Sequence, residues 1–263
     1  MTSHATVDRA TTELFDDPSE WRTNVIEALG LEGEDRFAGA STSTAMPQLV
    51  DHLPDVLGTT APGAGLDIGG GLGPLSAWLM QRTDHRVVPV DPSAASCRGA
   101  RRLFGLASIR AGASTLPIAT GSCSVTVLNG VISLLDDLRS AVDEAVRTTR
   151  PGGIVAVADL TASGDRRVTS ATNNFWAADD VAAALERAGC VVDYIACGEP
   201  GIGEWASVQQ VVDDEIRRRY SEAPGFEQWR DDGARLGALI DAGTIGATSI
   251  IARRTTTSDR PQR

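Results

Sequence analysis

From residue 64 to residue 160 short apolar runs alternate with longer amphipathic ones, and this alternation restricts the possible folds more than any other feature of the chain. The order is AGLDI, PLSAWLMQR, HRVVPVD, SAASCRGARRLFG, CSVTVLNG, DDLRSAVDEAVRTTR and GIVAVADL. Strand-length runs separated by helix-length ones are the signature of βαβ crossovers, which place parallel strands in one sheet and helices on both of its faces. DDVAAALERAGC then reads as a further helix, VVDYIAC as a sixth strand and GATSIIARR as a seventh. The expected fold is α/β, doubly wound around a mostly parallel, seven-stranded sheet.

The flanking segments read as helical. Asp17 or Ser19 is placed to cap a helix through WRTNVIEALG, ended by Gly30, and Pro47 opens a second, PQLVDHLPDVLG, after the polar segment GASTSTAM. About forty-five residues separate the last two strands, far more than a hairpin needs, and they are helix-periodic around VQQVVDDEIRRRY and DDGARLGALIDAG. The expected organisation is a helical cap over 1–60, a core over 61–198, a helical insertion over 199–243, the last core strand over 244–254 and a disordered polar tail over 255–263.

Composition removes several kinds of chemistry. All 24 basic residues are arginine, so a lysine Schiff base, and with it ordinary pyridoxal-phosphate or aldolase-type catalysis, is excluded, as is the lysine of a P-loop. A formal charge of −11 with no basic stripe argues against nucleic acid and anionic membranes as partners. The opening MTSHATVDRATTELFDD has neither a basic start nor an apolar stretch, and no apolar run approaches bilayer-spanning length, so a cytoplasmic protein is expected. Cys97, Cys123, Cys190 and Cys197 lie far apart with no histidine at ligand spacing; they are expected to be small buried hydrophobes, and no metal site is expected. His4, His52 and His85 are expected to be solvated.

The chemistry should sit at LDIGGGLGPLSAWL, where a strand ending at Asp67 and Ile68 runs through Gly69, Gly70, Gly71 and Gly73 into a helix opened by Pro74. Glycines there allow positive φ and let a ligand approach the backbone. The dinucleotide fingerprint GxGxxG fails, because Pro74 stands where its third glycine belongs. A pyrophosphate would also have to lie close to the Asp67 carboxylate, whereas an ammonium and a sulfonium, as in S-adenosylmethionine, would be attracted to it. Eighteen residues past Gly73, HRVVPVD ends a second strand with Asp91, where such folds set a carboxylate against two ribose hydroxyls.

Residues 60–160 resemble the class I, Rossmann-like, S-adenosylmethionine-dependent methyltransferases. DIGGGLG matches that family's Asp-x-Gly-x-Gly-x-Gly motif, Asp91 its ribose-binding acid, AGASTLPIATGSCSVTVLNGVISLLDD its Leu-Pro turn and fourth strand, and RTTRPGGIVAVADL the Arg-Pro-Gly-Gly turn before the fifth. The resemblance implies S-adenosyl-L-methionine as cofactor and S-adenosyl-L-homocysteine as product. It assigns cofactor binding to Asp67, Gly69, Gly70, Gly71, Gly73 and Asp91, sets Gly112 and Ala113 beside the adenine, and has Asn129 and Gly130 border the methionine portion. Gly112 and Ser124 stand where the family commonly has aspartates, so adenine is expected to be held through backbone and apolar contacts.

In an open α/β sheet the ligand binds outside the carboxyl ends of the strands, where Asp67, Asp91, Asn129 and Asp159 emerge. The insertion begins at the same edge, so it is expected to fold back as a lid over the methyl acceptor. Methyl transfer is an in-line displacement that mainly requires alignment and exclusion of water, so a base is optional and no catalytic residue is identified. Asp159, Glu199 and Glu204 are the candidates. Trp176, Trp205 and Tyr220 are candidates for contact with the acceptor. Asp213-Asp214 and Arg217-Arg218-Arg219 are expected to form a solvated helix face.

The resemblance is to stand-alone bacterial enzymes acting on small metabolites, natural products or ribosomally made peptides. The fourth strand is followed by LNGVISLL rather than Asn/Asp-Pro-Pro-Tyr, which argues against nucleic-acid bases. The acidic balance tilts the expectation towards N-methylation of an amine in a biosynthetic tailoring pathway. O-, S- or C-methylation, and a non-catalytic S-adenosylmethionine-binding regulatory subunit, are the alternatives.

Overall fold

The computed structural model describes residues 4–43, 45–199 and 204–256. Four helices come first: α1 (His4–Leu29), α2 (Gly33–Ala40), α3 (Met46–Val50) and α4 (Leu53–Gly58). The α/β alternation follows as β1 (Ala64–Ile68), α5 (Pro74–Arg82), β2 (Arg86–Val90), α6 (Ala94–Phe104), β3 (Cys123–Asn129), α7 (Leu138–Thr148) and β4 (Thr149–Ala162). A small ribbon, β5 (Val168–Thr169) and β6 (Asn174–Phe175), precedes α8 (Ala178–Arg187) and β7 (Cys190–Gly198). The chain closes with α9 (Glu204–Tyr220), α10 (Phe226–Asp241) and β8 (Ile245–Arg254).

The main sheet has the order β2-β1-β3-β4-β8-β7. Its β2, β1, β3 and β4 are parallel, and β8 runs antiparallel to both β4 and β7. The α/β, mostly parallel architecture is therefore as expected, but the sheet has six strands rather than seven. Beyond β2 the edge is reduced to a single parallel bridge, Val90 to Ile109. The segment GLASIRAGASTLPIATGS is rich in glycine, small polar residues and proline, so it lacks the branched alternation that sustains a ladder.

Apolar side chains bury both faces of the sheet. Val125, Val127, Ile154 and Ala156 meet Leu49, Leu53, Leu75 and Leu79 of α3, α4 and α5 on one face, joined by Leu236 and Leu239 of α10. Leu128, Val155, Val157 and Ile250 meet Val142, Val146, Val181 and Leu185 of α7 and α8 on the other. A third cluster joins α1, α2, α9 and α10 through Trp21, Val25, Ile26, Ala40, Val212, Ile216 and Phe226, and reaches the glycine loop at Leu72.

Several local expectations are corrected by these contacts. α1 starts well before Asp17 and carries Pro18 inside it. It lies along α6, where Arg102 hydrogen-bonds Glu20, Asn24 and Glu27, so tertiary packing sustains the helix through the proline. The second expected helix is split into α3 and α4; Pro54, at the start of α4, has no amide to offer the carbonyl of Val50. α2, built from GEDRFAGA, carried no sequence signal.

The insertion is helical at the expected stretches, but Asp213 is not part of a solvated face, because it pairs with the buried Arg22. Arg22 also donates to the Gly39 carbonyl (2.9 Å). Of the expected tail, Thr255 makes two hydrogen bonds to the Gly189 carbonyl, and residues 257–263 lie outside the described residues. His85 is buried rather than solvated, its Nδ1 2.7 Å from the Ser124 hydroxyl. His52 is exposed, and the side chain of His4 lies outside the described residues. Of the four cysteines Cys123 and Cys190 are buried, Cys97 is half-buried and Cys197 is exposed. No helix among the described residues is long and apolar enough to cross a membrane.

Candidate cofactor and acceptor site

Strand register brings the chain's sequence candidates to one edge. Ile68 is partnered with Val90 on one side and Leu128 on the other, and Asn129 with Ala158. Gly69, Asp91 and Asn129 therefore leave the sheet at the same level, and Asp159 follows one residue beyond Ala158. A groove of about 440 Å³ lined by Pro54, Leu57, Met80, Arg82 and His85 lies at the opposite, amino ends of β1 and β2, away from these groups.

The glycines of the loop divide by what surrounds them. Gly69, Gly71 and Gly73 all have positive φ. A Cβ on Gly69 would lie 2.0 Å from Val131 Cγ2, so packing disfavours a side chain there; one on Gly73 would lie 2.8 Å from the flexible tip of Leu106, and its positive φ is the firmer demand for glycine. A Cβ on Gly70 would press on the Asp67 carbonyl at 2.9 Å. Gly71 differs: a Cβ there would meet nothing within 4 Å, which leaves its surface open to a ligand. The sequence could not distinguish these roles.

Asp67 is fully buried. Its Oδ2 accepts the Ser76 hydroxyl (2.9 Å), while Oδ1 has no hydrogen-bond partner. Burial pushes its carboxyl up to about 7, against the opposing hydrogen bonds from Ser76. Asn129 Oδ1, at the end of β3, is likewise buried and unpartnered. Two acceptors left unmet beside a glycine loop fit a ligand carrying an ammonium, because unmet buried polar groups are costly unless a donor is supplied.

Asp91 is buried at the end of β2, with Oδ2 accepting the Gly71 amide (3.0 Å) and Oδ1 the Ser93 amide (2.8 Å). Each oxygen keeps a lone pair for a hydroxyl donor, as a ribose diol would require. Burial raises its carboxyl, and Asp16 adds to that. Asp16, on α1, accepts the Ser93 hydroxyl (2.5 Å) and the Ala95 amide (3.2 Å), so it caps α6 rather than its own helix. Gly112 and Ala113 are half-buried in the loop after the Ile109 bridge, with Ala113 packed against the core face of α7 and α8. Gly130 has positive φ, and its amide donates to the Ala158 carbonyl (2.8 Å).

The acceptor candidates are more dispersed. Asp159 is buried, its carboxyl pushed up to about 6 by desolvation, and its oxygens accept the Ser133 (3.1 Å) and Leu160 (2.7 Å) amides. Trp176 donates its indole N–H to the Ile132 carbonyl (3.2 Å), and Arg167 covers its ring at 4.7 Å. Trp205 packs half-buried against the face that holds Met46 and Leu49. Tyr220 stacks on Trp21 at 5.3 Å, and its hydroxyl accepts from Asn24, which sets it inside the α1–α9 interface, away from the strand ends. Glu199 is exposed at the end of β7, and the side chain of Glu204 lies outside the described residues. Sequence reasoning missed Asp16 and Ser43: the Ser43 hydroxyl is buried and unpartnered beside Gly130, and no motif marks either residue.

Residues 66–157 match a family model described as a methyltransferase domain. No curated protein sequence matches the chain. Among solved structures, phosphoethanolamine N-methyltransferase 2 from Haemonchus contortus, in complex with phosphomonomethylethanolamine and S-adenosylhomocysteine, is 12% identical. It covers 93% of this chain and 60% of its own, with a TM-score of 0.67. Geranyl diphosphate C-methyltransferase from Streptomyces coelicolor A3(2), in complex with Mg2+, geranyl diphosphate and S-adenosylhomocysteine, is 19% identical over 80% of this chain and 78% of its own (TM-score 0.55). A 4+2 cyclase is 15% identical over 80% and 83% (TM-score 0.57). At these identities the likeness establishes the fold alone.

Proposed function

We propose that this protein, whose residues 66–157 match a methyltransferase domain model, uses S-adenosylmethionine to transfer a methyl group to a small-molecule, natural-product or peptide acceptor, with an amine favoured. The observation that carries the reading is the pair of buried, unpartnered acceptors, Asp67 Oδ1 and Asn129 Oδ1, beside the open surface of Gly71. Asp67 and Asn129 would hold the cofactor's ammonium, Asp91 its ribose, and Gly112 and Ala113 its adenine. When bound, the cofactor supplies an electrophilic methyl on a cationic sulfur; the chain's own task is alignment and exclusion of water.

Acidity at the strand ends supports an amine. The strand-end edge gathers Asp16, Asp67, Asp91 and Asp159, and the chain carries a net charge of −11. Asp159, buried at the strand ends with its carboxyl pushed up to about 6 by desolvation, attracts a cation in its ionised form. Both of its oxygens accept backbone amides, so it serves better as a fixed charge than as a proton shuttle. Trp176 serves as a wall, since Arg167 already occupies one ring face. The insertion is read as the acceptor cover, with Trp205 at its start facing the same side as α3.

Incubating the protein with S-adenosylmethionine and separate pools of amines, alcohols, phenols and thiols tests this, with S-adenosylhomocysteine as the readout. Product formed chiefly with amines is expected. Turnover confined to hydroxyl or thiol pools removes the amine preference. Tight cofactor binding with no turnover in any pool favours a non-catalytic binding subunit.

A further inference from the structure

Asp67 Oδ1 and Asn129 Oδ1 have a third companion at the strand ends, the buried and unpartnered Ser43 Oγ. Ser43 lies in the segment between α2 and α3, and its Cβ is 3.4 Å from where a Cβ on Gly130 would stand. That segment is held from the insertion: Gln209 of α9 donates through Nε2 to the Ser41 carbonyl (3.0 Å), and the Ser41 hydroxyl donates to the Ser43 carbonyl (3.4 Å). The two acceptors suit an ammonium, and a hydroxyl free to donate suits a carboxylate; one ligand fragment, an α-amino acid, carries both.

We propose that Ser43 binds the α-carboxylate at the amino-acid end of the cofactor, and that Gln209 is a positioning residue that holds the Ser41–Ser43 segment for it. α9 is thereby tied to the cofactor as well as to the acceptor side. The inference rests on the proposed use of S-adenosylmethionine.

Calorimetry with two ligands separates the parts: S-adenosylhomocysteine, and 5′-methylthioadenosine, which keeps the adenosine and thioether but lacks the amino-acid end. Ser43→Ala should weaken S-adenosylhomocysteine by about ten- to hundredfold, the loss of one hydrogen bond to a charged group, and leave methylthioadenosine within about twofold. Ser43→Thr, which retains the hydroxyl, should keep most of the affinity. Gln209→Ala should weaken S-adenosylhomocysteine in the same direction, with little further loss when combined with Ser43→Ala. Equal loss of both ligands in Ser43→Ala, or unchanged S-adenosylhomocysteine affinity, overturns the assignment while the cofactor reading stands. A wild-type protein that binds neither ligand overturns both.

Discussion

Asp67 sets stability against cofactor recognition, and Asp67→Asn exposes the conflict. In the free protein the carboxyl is raised from its ordinary 3.8 to about 7 by burial. At about 1.4 kcal/mol per pH unit, that displacement corresponds to a penalty of about 4 kcal/mol on the ionised form. Relaxation of the surrounding loop reduces such penalties, so a gain of about 1 to 3 kcal/mol is expected for the neutral amide above pH 7. For a chain of this size that is a rise of roughly 2 to 10 °C in melting temperature. The sign follows from linkage: a folded-state pKa above the unfolded one binds extra protons in the native state, so this contribution is present at low pH and lost as pH rises through about 7. The stabilisation by Asp67→Asn should therefore be full at pH 8, fall to roughly four-tenths of that at pH 5, and vanish only below the unfolded-state value of 3.8. The cofactor's ammonium reverses the preference, so wild-type affinity for S-adenosylhomocysteine should climb as pH rises through about 7, and the variant should lose both the affinity and the climb. Thermal melts at the two pH values, with and without ligand, report all four quantities. An unliganded variant less stable than wild type at pH 8, or one that keeps the wild-type ligand shift, would refute the argument.

Asp91→Ala should weaken S-adenosylhomocysteine by about 1.5 to 3 kcal/mol in calorimetry, and should also lower the melting temperature because the Gly71 and Ser93 amides lose their acceptor. Gly69→Ala should cost clearly more stability in urea than Gly71→Ala, since the first adds a clash with Val131 to the positive-φ strain of about 1 to 2 kcal/mol that both share. Gly71→Val should remove the thermal shift given by cofactor, through the side chain it projects into the open surface; an undiminished shift would make that glycine purely structural. Arg22→Ala should destabilise the protein by about 3 kcal/mol, because it leaves Asp213 without its buried partner, and a loss below about 0.5 kcal/mol would show the α1–α9 contact to be dispensable.

Periodicity and glycine spacing determined the α/β class, the position of the loop and the two strand-end acids, because these are local: a strand, a turn with positive φ and a helix start are written in contiguous residues. The reduced outer strand was partly legible in the composition of 105–122. Tertiary structure alone decided what is built from distant segments. Asp16 caps a helix that begins 78 residues later, His85 fills the space beside Ser124, and Asp213 meets Arg22 across 191 residues of chain. It also decided which glycines are forced by packing and which one faces open space, since a neighbour such as Val131, far along the chain from Gly69, leaves no mark in the motif. Tyr220 illustrates the same limit from the other side: an aromatic ring in an insertion has no local signal for direction, and its stacking on Trp21 follows from how α9 lies against α1.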